Sequence, residues 1–460
     1  MTAIHASGFP EREVRARARN GSAEVFPPIA EYGTGMFGAG GQDAANGSAG
    51  LSGHRDELDR ARIAPPVFMP GRLEKLIELG REPIHDDVDL NIELGGFRST
   101  LPVFLSAIGS TRLGSGDLGV AASRQAGRIG IPMVLGENLV PVHGYRRDDG
   151  SSSPILARVR AYVDGAGDPG GPSGPSGPGG GIVVQQSTED ADSEVWNLVY
   201  TDPAVRALRD SGRLAFELKI GQGAKPGLGG MTVASAGEAR RLADEFAVRD
   251  VFGPGAESWL RCATPGTFTE EIVRQQLRFM RNNFPLARVW VKFHPGRDIA
   301  QAAAIAWQAG ADAVTVDGAE GGTGWAPRVF LDHVGLPLAE CLRRIGLPAG
   351  CLLVTGRMWE GTRVVRSLAL GARAAGLGRA ALIAVDEDPQ AGLIRLAESL
   401  ALEISMLISA LGKYTPAALD PEDLWWPVSP AAPTPHPGPA LTAPHSGRAT
   451  SGGAAWPVLA

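Results

Sequence analysis

The sequence predicts an α/β protein built as a (β/α)8 TIM barrel, and two features of the chain carry that prediction. First, eight short apolar runs alternate with segments that have helical spacing. The runs show little polar alternation, which is typical of parallel strands covered on both faces. Second, conspicuous polar residues stand where the runs end, and a barrel gathers the carboxyl ends of its strands on one face, where active sites are built. Periodicity alone leaves a doubly wound open sheet as the alternative.

The predicted strands begin with "PVFLSAIG" and end with "AAGLGRA". In chain order they cover residues 102–109, 131–138, 182–187, 214–221, 289–294, 312–318, 351–357 and 374–380. Segments such as "DIAQAAAIAWQAGA" and "EGTRVVRSLALGA" are predicted to be covering helices, because their apolar residues recur at helical spacing.

Three parts are predicted along the chain. Residues 1–95 form an N-terminal extension that packs on the barrel, and residues 96–426 form the barrel itself. Within the barrel, the stretch at 164–181 is rich in Gly, Pro and Ser. It has almost no apolar side chains whose burial could offset the entropy cost of ordering, so it is predicted to be a flexible insertion. The Pro/Ala-rich tail at 427–460 is predicted to be disordered for the same reason.

Composition excludes several classes of protein. A formal net charge of -6 leaves no excess of basic residues for phosphate backbones, so nucleic acid is not an expected partner. No apolar run has the length of a membrane span or the pattern of a signal peptide, so we expect a cytoplasmic protein without a membrane partner. Cys262, Cys341 and Cys351 form no C-x-x-C pair, so no disulfide, zinc site or other metal site is expected.

A glycine-rich stretch, "DGAEGGTG", leaves the sixth predicted strand with more backbone freedom than a chain reversal needs. Its N–H groups can converge on an anion, phosphate above all, and the residues concerned are Gly321, Gly322, Thr323 and Gly324. The loops "TGR" and "GLGRA" end the seventh and eighth strands, where barrels often bind phosphate, and they contribute Gly356, Arg357, Gly378 and Arg379. The sequence therefore predicts one phosphate shared by three loops. The alternative is that each loop is only a tight turn.

Lysines cluster after the fourth predicted strand, in "KIGQGAKPGLGG". Lys219 or Lys225 inside a barrel mouth would need an anionic partner, such as a substrate carboxylate or an electron-rich cofactor, with Gln222 between them. Solvent exposure is the alternative for each lysine. At the fifth strand, Lys292 and His294 share one face, and His294 is either a general acid or a hydrogen-bonded structural histidine.

Taken together, the motifs resemble the FMN-binding synthase domain of glutamate synthases. The resemblance rests on "PVFLSAIGS", "GENL", "FELKIGQGAKPGLGG", "GADAVTVDGAEGGTGWAP", "DHVGLP", "ALGARAAGLGRAAL" and "PEDL", between residues 100 and 424. It implies an FMN-binding barrel whose three glycine loops hold the flavin phosphate. In that family the reduced flavin gives hydride to 2-iminoglutarate.

The resemblance also implies roles for individual residues. Gln222 and Lys225 would lie by the pyrimidine edge of the flavin, Ser106 and Ala107 along its ring, and Lys219 toward the substrate carboxylates. Glu137 or His294 would move protons. The further cofactor contacts expected at the strand ends are Lys292 and Asp317.

The chain also departs from the family pattern at several places. The chain has no cysteine cluster after the eighth strand, so no iron–sulfur cluster is expected. Thr2 follows Met1 where a glutaminase domain has its cysteine nucleophile, so we do not expect this chain to make ammonia from glutamine. Leu228 and Leu139 replace residues common in the substrate loops, which puts glutamate as product in doubt. A cluster-free relative is the flavin subunit of N-methylglutamate synthase, which the chain resembles in "VDG-x-x-GGT", "DHVGLP" and "PEDL".

The sequence therefore predicts an FMN-dependent oxidoreductase acting on the C–N bond of an amino or imino acid. Three alternative functions stay open. They are redox-neutral amine exchange of the N-methylglutamate synthase type, a flavin-dependent tailoring oxidase or isomerase, and a non-catalytic flavin-binding subunit. Expected partners are an amino-acid or keto-acid substrate and a separate amidotransferase or electron-donor subunit. A homo-oligomer also stays open.

Overall fold

The structure is a computed structural model of the protein. It describes residues 5–6, 8–26, 57–108, 112–113, 116–136, 154–167, 179–187, 195–221, 232–244, 247–250, 257–262, 268–321 and 328–427. Of the predicted flexible insertion at 164–181, residues 168–178 lie outside the described residues, as does the predicted tail beyond 427. Residues 164–166 belong to the helix Pro154–Ala166, and residues 179–181 lead directly into a barrel strand.

Eight parallel strands close into a barrel, in the order in which they occur along the chain. They are β1 (Val103–Ile108), β2 (Met133–Leu135), β3 (Ile182–Ser187), β4 (Leu214–Ile220), β5 (Arg288–Phe293), β6 (Ala313–Asp317), β7 (Leu352–Thr355) and β8 (Ala374–Leu377). The last strand pairs with the first, where Gly376 lies opposite Phe104. All eight predicted strands are present, so the predicted (β/α)8 barrel is confirmed and the open sheet is wrong.

Helices follow the strands and cover the barrel from outside. They are Leu118–Ile129, Pro154–Ala166, Val195–Thr201, Arg206–Asp210, Glu270–Asn283, Ile299–Gln308, Arg328–His333, Leu338–Ile345, Gly361–Ala369, Arg379–Glu387 and Gly392–Ala410, whereas the helix Ala236–Leu242 packs on the small antiparallel sheet inserted after β4. Among the described residues, no helix is both long and apolar enough to cross a bilayer. After β4 the chain adds an antiparallel sheet of Thr232–Ser235, Ala247–Arg249 and Ser258–Cys262.

The N-terminal part contributes the helices Glu11–Asn20, Glu57–Arg60 and Pro70–Leu79. The first of these packs against the last two helices of the chain. Arg15 pairs there with Asp386 and Glu387 at 2.8 and 3.0 Å. The strand Arg62–Ile63 pairs antiparallel with Leu424–Trp425, which ties the N-terminal part to the end of the described chain.

A hairpin closes the amino-terminal end of the barrel. Its strands are Ile92–Leu94 and Phe97–Ser99. One buried cluster joins three of its residues to a single inward residue from each barrel strand, namely Phe104, Val134, Val183, Ala215, Trp290, Ala313, Leu353 and Ala374. The ring of Phe97 lies 5.4 Å from that of Trp290. The lower half of the barrel is thus a packed apolar core, and the sequence reading did not anticipate the hairpin.

Gly95, in the turn of this hairpin, is fixed from two sides. Its carbonyl accepts from Trp290 Nε1 at 2.9 Å, and its N–H donates to Cys351 Sγ at 3.2 Å. Its φ is +52°, and an added Cβ would lie 2.5 Å from the Trp290 indole. Both the backbone conformation and the close approach therefore require glycine here.

We predict that Gly95→Ala destabilises the protein by roughly 2 to 4 kcal/mol, since it adds a clash to an unfavourable φ. Gly80→Ala is the matched control, because Gly80 has φ +67° but nothing within 4 Å of an added Cβ. It should cost roughly 1 kcal/mol. Urea unfolding followed by tryptophan fluorescence measures both, and equal losses would contradict the packing role of Gly95.

Candidate functional site

Polar side chains form the next layer inside the barrel, toward the carboxyl ends of the strands. Side chains alternate in a strand, so residues two positions after the apolar layer also point inward. That rule places inside the barrel Ser106, Gln185, Glu217, Lys292, Thr315 and Thr355, all of which are buried. Further along the strands, the same alternation places Lys219, His294 and Asp317 at the mouth.

Glu217 is the centre of one half of this layer. Its carboxylate accepts a hydrogen bond from Gln185 Nε2 on β3 and another, of 2.9 Å, from Thr315 Oγ1 on β6. The side chain is 1% exposed. Burial raises the pKa of Glu217, while the charge of Lys292 and the two hydrogen bonds oppose the shift.

Lys292 and Asp317 form the other half. Lys292 Nζ lies 3.1 Å from Asp317 Oδ1, and the two side chains are 8% and 14% exposed. Thr355 Oγ1 donates to the same Asp317 oxygen. A buried ammonium needs such a partner, so the pair holds Lys292 in place just below the mouth.

Lys219 and His294 lie closer to the mouth. In the sheet register Lys219 stands opposite Lys292 on one side and Ser187 on the other, and it is partly exposed. His294 Nδ1 lies 3.2 Å from the carbonyl oxygen of Ile220. Because a carbonyl only accepts, Nδ1 carries the hydrogen and Nε2 is left to exchange a proton or accept a hydrogen bond. Both predicted roles of His294 are compatible with this geometry.

The loops after β6, β7 and β8 meet at one side of the mouth. A Cβ added to Gly321 would lie 3.6 Å from the Cα of Gly356, so the first two loops are in direct contact. Arg379, after β8, donates from Nη2 to the carbonyl oxygen of Glu320 at 2.8 Å. Three loops that are far apart in the sequence therefore share one place, as a common phosphate site requires.

One buried arginine joins these loops to the N-terminal part. Arg363 is fully buried and donates from Nε to the carbonyl oxygen of Gly356 at 2.8 Å. Its Nη1 binds Asp59 Oδ1 at 2.6 Å, and its Nη2 binds Glu320 Oε1. The Glu320 carboxylate also accepts from the Leu338 amide at 3.2 Å. Arg363 thus fixes both the Gly356 and the Glu320 loops.

Within the described part of the chain, Arg357 and Arg379 lie close together at these loops and are not fully matched by acceptors. Burial lowers the pKa of Arg379, and the nearby Arg357 lowers it further. Arg357 Nε is buried and has no hydrogen-bond partner among the residues that the structure describes. A Cβ added to Gly378 would have nothing within 4 Å, so there is room at the start of the helix Arg379–Glu387, whose first amides lack intrahelical acceptors. These are the properties of a site for an anionic phosphate group.

The predicted site residues fall into three sets. Ser106, Ala107, Lys219, Lys292, His294 and Asp317 lie in the upper barrel. Gly321, Gly356, Arg357, Gly378 and Arg379 lie at the three converging loops. Outside the described residues are Glu137, Gln222, Lys225, Gly322, Thr323 and Gly324.

Several polar residues that organise the site were not predicted from the sequence: Asp59, Glu217, Thr315, Glu320, Thr355 and Arg363. Glu217 and Thr315 had a visible signal, because each is a polar residue in the middle of an apolar strand. Asp59 and Arg363 had none, since only the folded chain brings them together.

We predict that Glu217→Gln becomes more stable relative to the wild type as the pH rises above 4.5, the ordinary pKa of the group. The raised pKa means that the folded wild type holds this proton more tightly than the unfolded chain, so stability is lost as the group ionises. Glu387→Gln is the control with the opposite slope. Burial opposes the shift there, but hydrogen bonds from Arg19 and Arg15 lower the pKa of Glu387. Urea unfolding from pH 3 to 8 measures both, because the Glu387 effect falls mainly below pH 4.5 and the Glu217 effect above it. Changes of the same sign in the two variants would contradict the prediction.

Known proteins match the central part of the chain. Residues 204–387, less than half of the chain, match the family described as "Conserved region in glutamate synthase". The glutamate synthase large subunit-like protein of Rhizobium meliloti (strain 1021) is 32% identical over 185 residues, which cover 38% of this chain and 40% of that protein. The archaeal-type glutamate synthase (NADPH) of Thermotoga sp. (strain RQ2) is 33% identical over 180 residues, or 37% of this chain and 34% of that protein. The chain thus spans less than half the length of these relatives.

The whole fold also has a counterpart among solved structures. An oxidised active mutant of (S)-mandelate dehydrogenase superposes with a TM-score of 0.52 at 17% identity, covering 91% of this chain and 99% of that one. At that identity the likeness concerns the fold alone. The predicted resemblance is confirmed for the central region: residues 204–387 resemble the conserved region of glutamate synthase, and here they lie within a (β/α)8 barrel.

Proposed function

We propose that the protein is an FMN-dependent oxidoreductase acting on the C–N bond of an amino acid or imino acid, as glutamate synthases do. The observation that carries the proposal is the convergence of the loops after β6, β7 and β8 around Arg357 and Arg379, beside an open helix N-terminus. The match of residues 204–387 to glutamate synthase supports the reaction class.

The residues at the converging loops fit the phosphate end of a flavin mononucleotide. Charge-assisted donors come from the guanidinium of Arg379 and from Arg357 Nε, which has no acceptor in the part of the chain that the structure describes. Gly321, Gly356 and Gly378 let the backbone approach the phosphate oxygens. Riboflavin, which lacks the phosphate, would leave these groups without their anion.

The upper barrel fits the ring end. Lys292, held by Asp317, would contact the flavin ring from inside the barrel, with Ser106 and Ala107 along the ring. When bound, FMN supplies hydride transfer to or from the substrate carbon. The protein's part is to orient substrate against it and to keep water out, and the apolar plug below the polar layer serves the second purpose.

Substrate groups would meet the side chains at the mouth. Lys219 binds a carboxylate of the amino or imino acid, and His294 Nε2 holds the proton exchanged with the substrate nitrogen. Glu137, Gln222 and Lys225 keep their predicted roles as proton donor and flavin contacts. Imine reduction needs one proton on nitrogen for each hydride on carbon, and an imidazole whose Nδ1 bonds to a carbonyl can carry that proton on Nε2.

We predict that the purified chain binds one FMN and is yellow, with the bound flavin reduced anaerobically by photoreduction and reoxidised by an imino acid or by a keto acid plus ammonia. Flavin absorbance and stopped-flow reoxidation measure this. A preparation that stays colourless after incubation with FMN would refute the proposal. Turnover of glutamate with methylamine, without net change in flavin redox state, would instead favour the amine-exchange reaction.

We predict that Lys219→Met raises the substrate concentration for half-maximal reoxidation at least about tenfold while FMN content stays unchanged, because a charge-assisted bond to carboxylate is lost. Lys75→Met, in the helix Pro70–Leu79, is the matched control and should leave both quantities as they are. Equal kinetics in the two variants would remove Lys219 from the substrate site.

A further inference from the structure

Asp59 connects the N-terminal part of the chain to the candidate phosphate site. It lies on the short helix Glu57–Arg60, about 300 residues before its partners. Asp59 Oδ1 accepts from Arg363 Nη1 at 2.6 Å, and Asp59 Oδ2 accepts from Arg357 Nη1 at 3.2 Å. One carboxylate therefore holds two guanidiniums in fixed relation.

The two arginines differ in how firmly they are anchored. Arg363 is fully buried and is also bound to Gly356 and Glu320, so its position is set by the fold. Arg357 is 20% exposed, and Asp59 is its one ion-pair partner among the described residues. Arg363 thus fixes the carboxylate of Asp59, and Asp59 in turn fixes the guanidinium of Arg357.

The backbone at Arg357 indicates that its placement is enforced. Its φ is +55°, the only positive φ of a non-glycine residue in the described part of the chain. A side chain in this conformation is unfavourable unless its surroundings hold it there, and such residues concentrate at functional sites. The Nε that has no acceptor among the described residues belongs to the same guanidinium.

A second N-terminal residue contacts the other arginine of the site. The Phe9 ring lies 4.8 Å from the Arg379 guanidinium carbon, and Phe9 is 9% exposed. A cation over an aromatic face is stabilised and shielded from water. Both arginines of the candidate phosphate site are therefore held from the N-terminal part, one by Asp59 and one by Phe9.

We propose that Asp59 is a positioning residue that holds Arg357 against the phosphate of the bound cofactor, and that Phe9 does the same for Arg379. This proposal rests on the proposed function, because it takes the FMN phosphate as the anion. It assigns to the first sixty residues a part in phosphate recognition, in addition to their packing on the barrel.

Asp59→Asn tests the proposal with the smallest change of shape. The amide oxygen can keep the bond from Arg363, but the amide nitrogen faces Arg357 as a second donor, so Arg357 is released. Fluorescence titration of the full apo chain gives the dissociation constants of FMN and of riboflavin. We expect the FMN constant to rise about tenfold and the riboflavin constant to change by less than about twofold.

Glu57→Gln is the matched control, because Glu57 is on the same helix but pairs with Arg343 on the exposed surface. It should alter neither constant. If Asp59→Asn does not fold, Phe9→Leu decides the matter, with the exposed Phe26→Leu as its control. We expect Phe9→Leu to weaken FMN about threefold and to leave riboflavin unchanged.

Other results overturn the proposal in distinguishable ways. Equal weakening of FMN and riboflavin would mean that Asp59 only supports the fold. Tighter FMN binding by Asp59→Asn would mean that Asp59 competes with the phosphate for Arg357. A wild type that prefers FMN to riboflavin, with both variants unchanged, would refute the positioning roles alone. A wild type that binds neither flavin would refute the proposed function as well.

Discussion

The buried guanidinium of Arg363 determines how the candidate site is assembled. A charge taken out of water is tolerated only when opposite charges and hydrogen-bond acceptors surround it. Arg363 finds these in Asp59, Glu320 and the Gly356 carbonyl, which come from three separate segments. Since the loss of any one partner leaves a buried charge uncompensated, the segments are constrained to stay together. That constraint fixes the positions of the loops that carry Gly321, Arg357 and Arg379.

Buried charges inside the barrel are likewise matched by partners. Below, inward side chains are apolar and pack against the hairpin. Above, Glu217 and Lys292 are buried and Asp317 is largely buried, with their partners already in place on nearby strands. Such groups need little reorganisation when a ligand binds, and in a dry site their charges act more strongly than in water. In β5 the two layers are adjacent: Trp290 belongs to the apolar layer, and Lys292, the next inward-pointing residue, belongs to the polar layer.

The sequence predicted the barrel well because near-continuous apolar strands and helical spacing are local signals. All eight strands were located, and Lys292, Arg357 and Arg379 were picked out at their strand ends. The hairpin plug was missed, since Phe97 and Trp290 are distant in the chain and only closure of the barrel joins them. Asp59 and Arg363 were missed for the same reason, whereas Glu217 was overlooked although a charged residue inside an apolar strand is a visible anomaly. The remaining site residues, among them Lys225 and Thr323, stay predictions.

The N-terminal part touches the barrel at both ends, and this has a consequence for how the chain tolerates change. Its hairpin seals the bottom, where Gly95 meets Trp290, while Asp59 and Phe9 reach the top, where the arginines converge. Truncating this part would therefore expose apolar core and release buried charge at once. The local strand and helix signals account for the barrel, but its two ends are completed by a segment that precedes it in the chain. Under the proposed function, stability and ligand recognition are therefore coupled through residues that belong to no barrel strand.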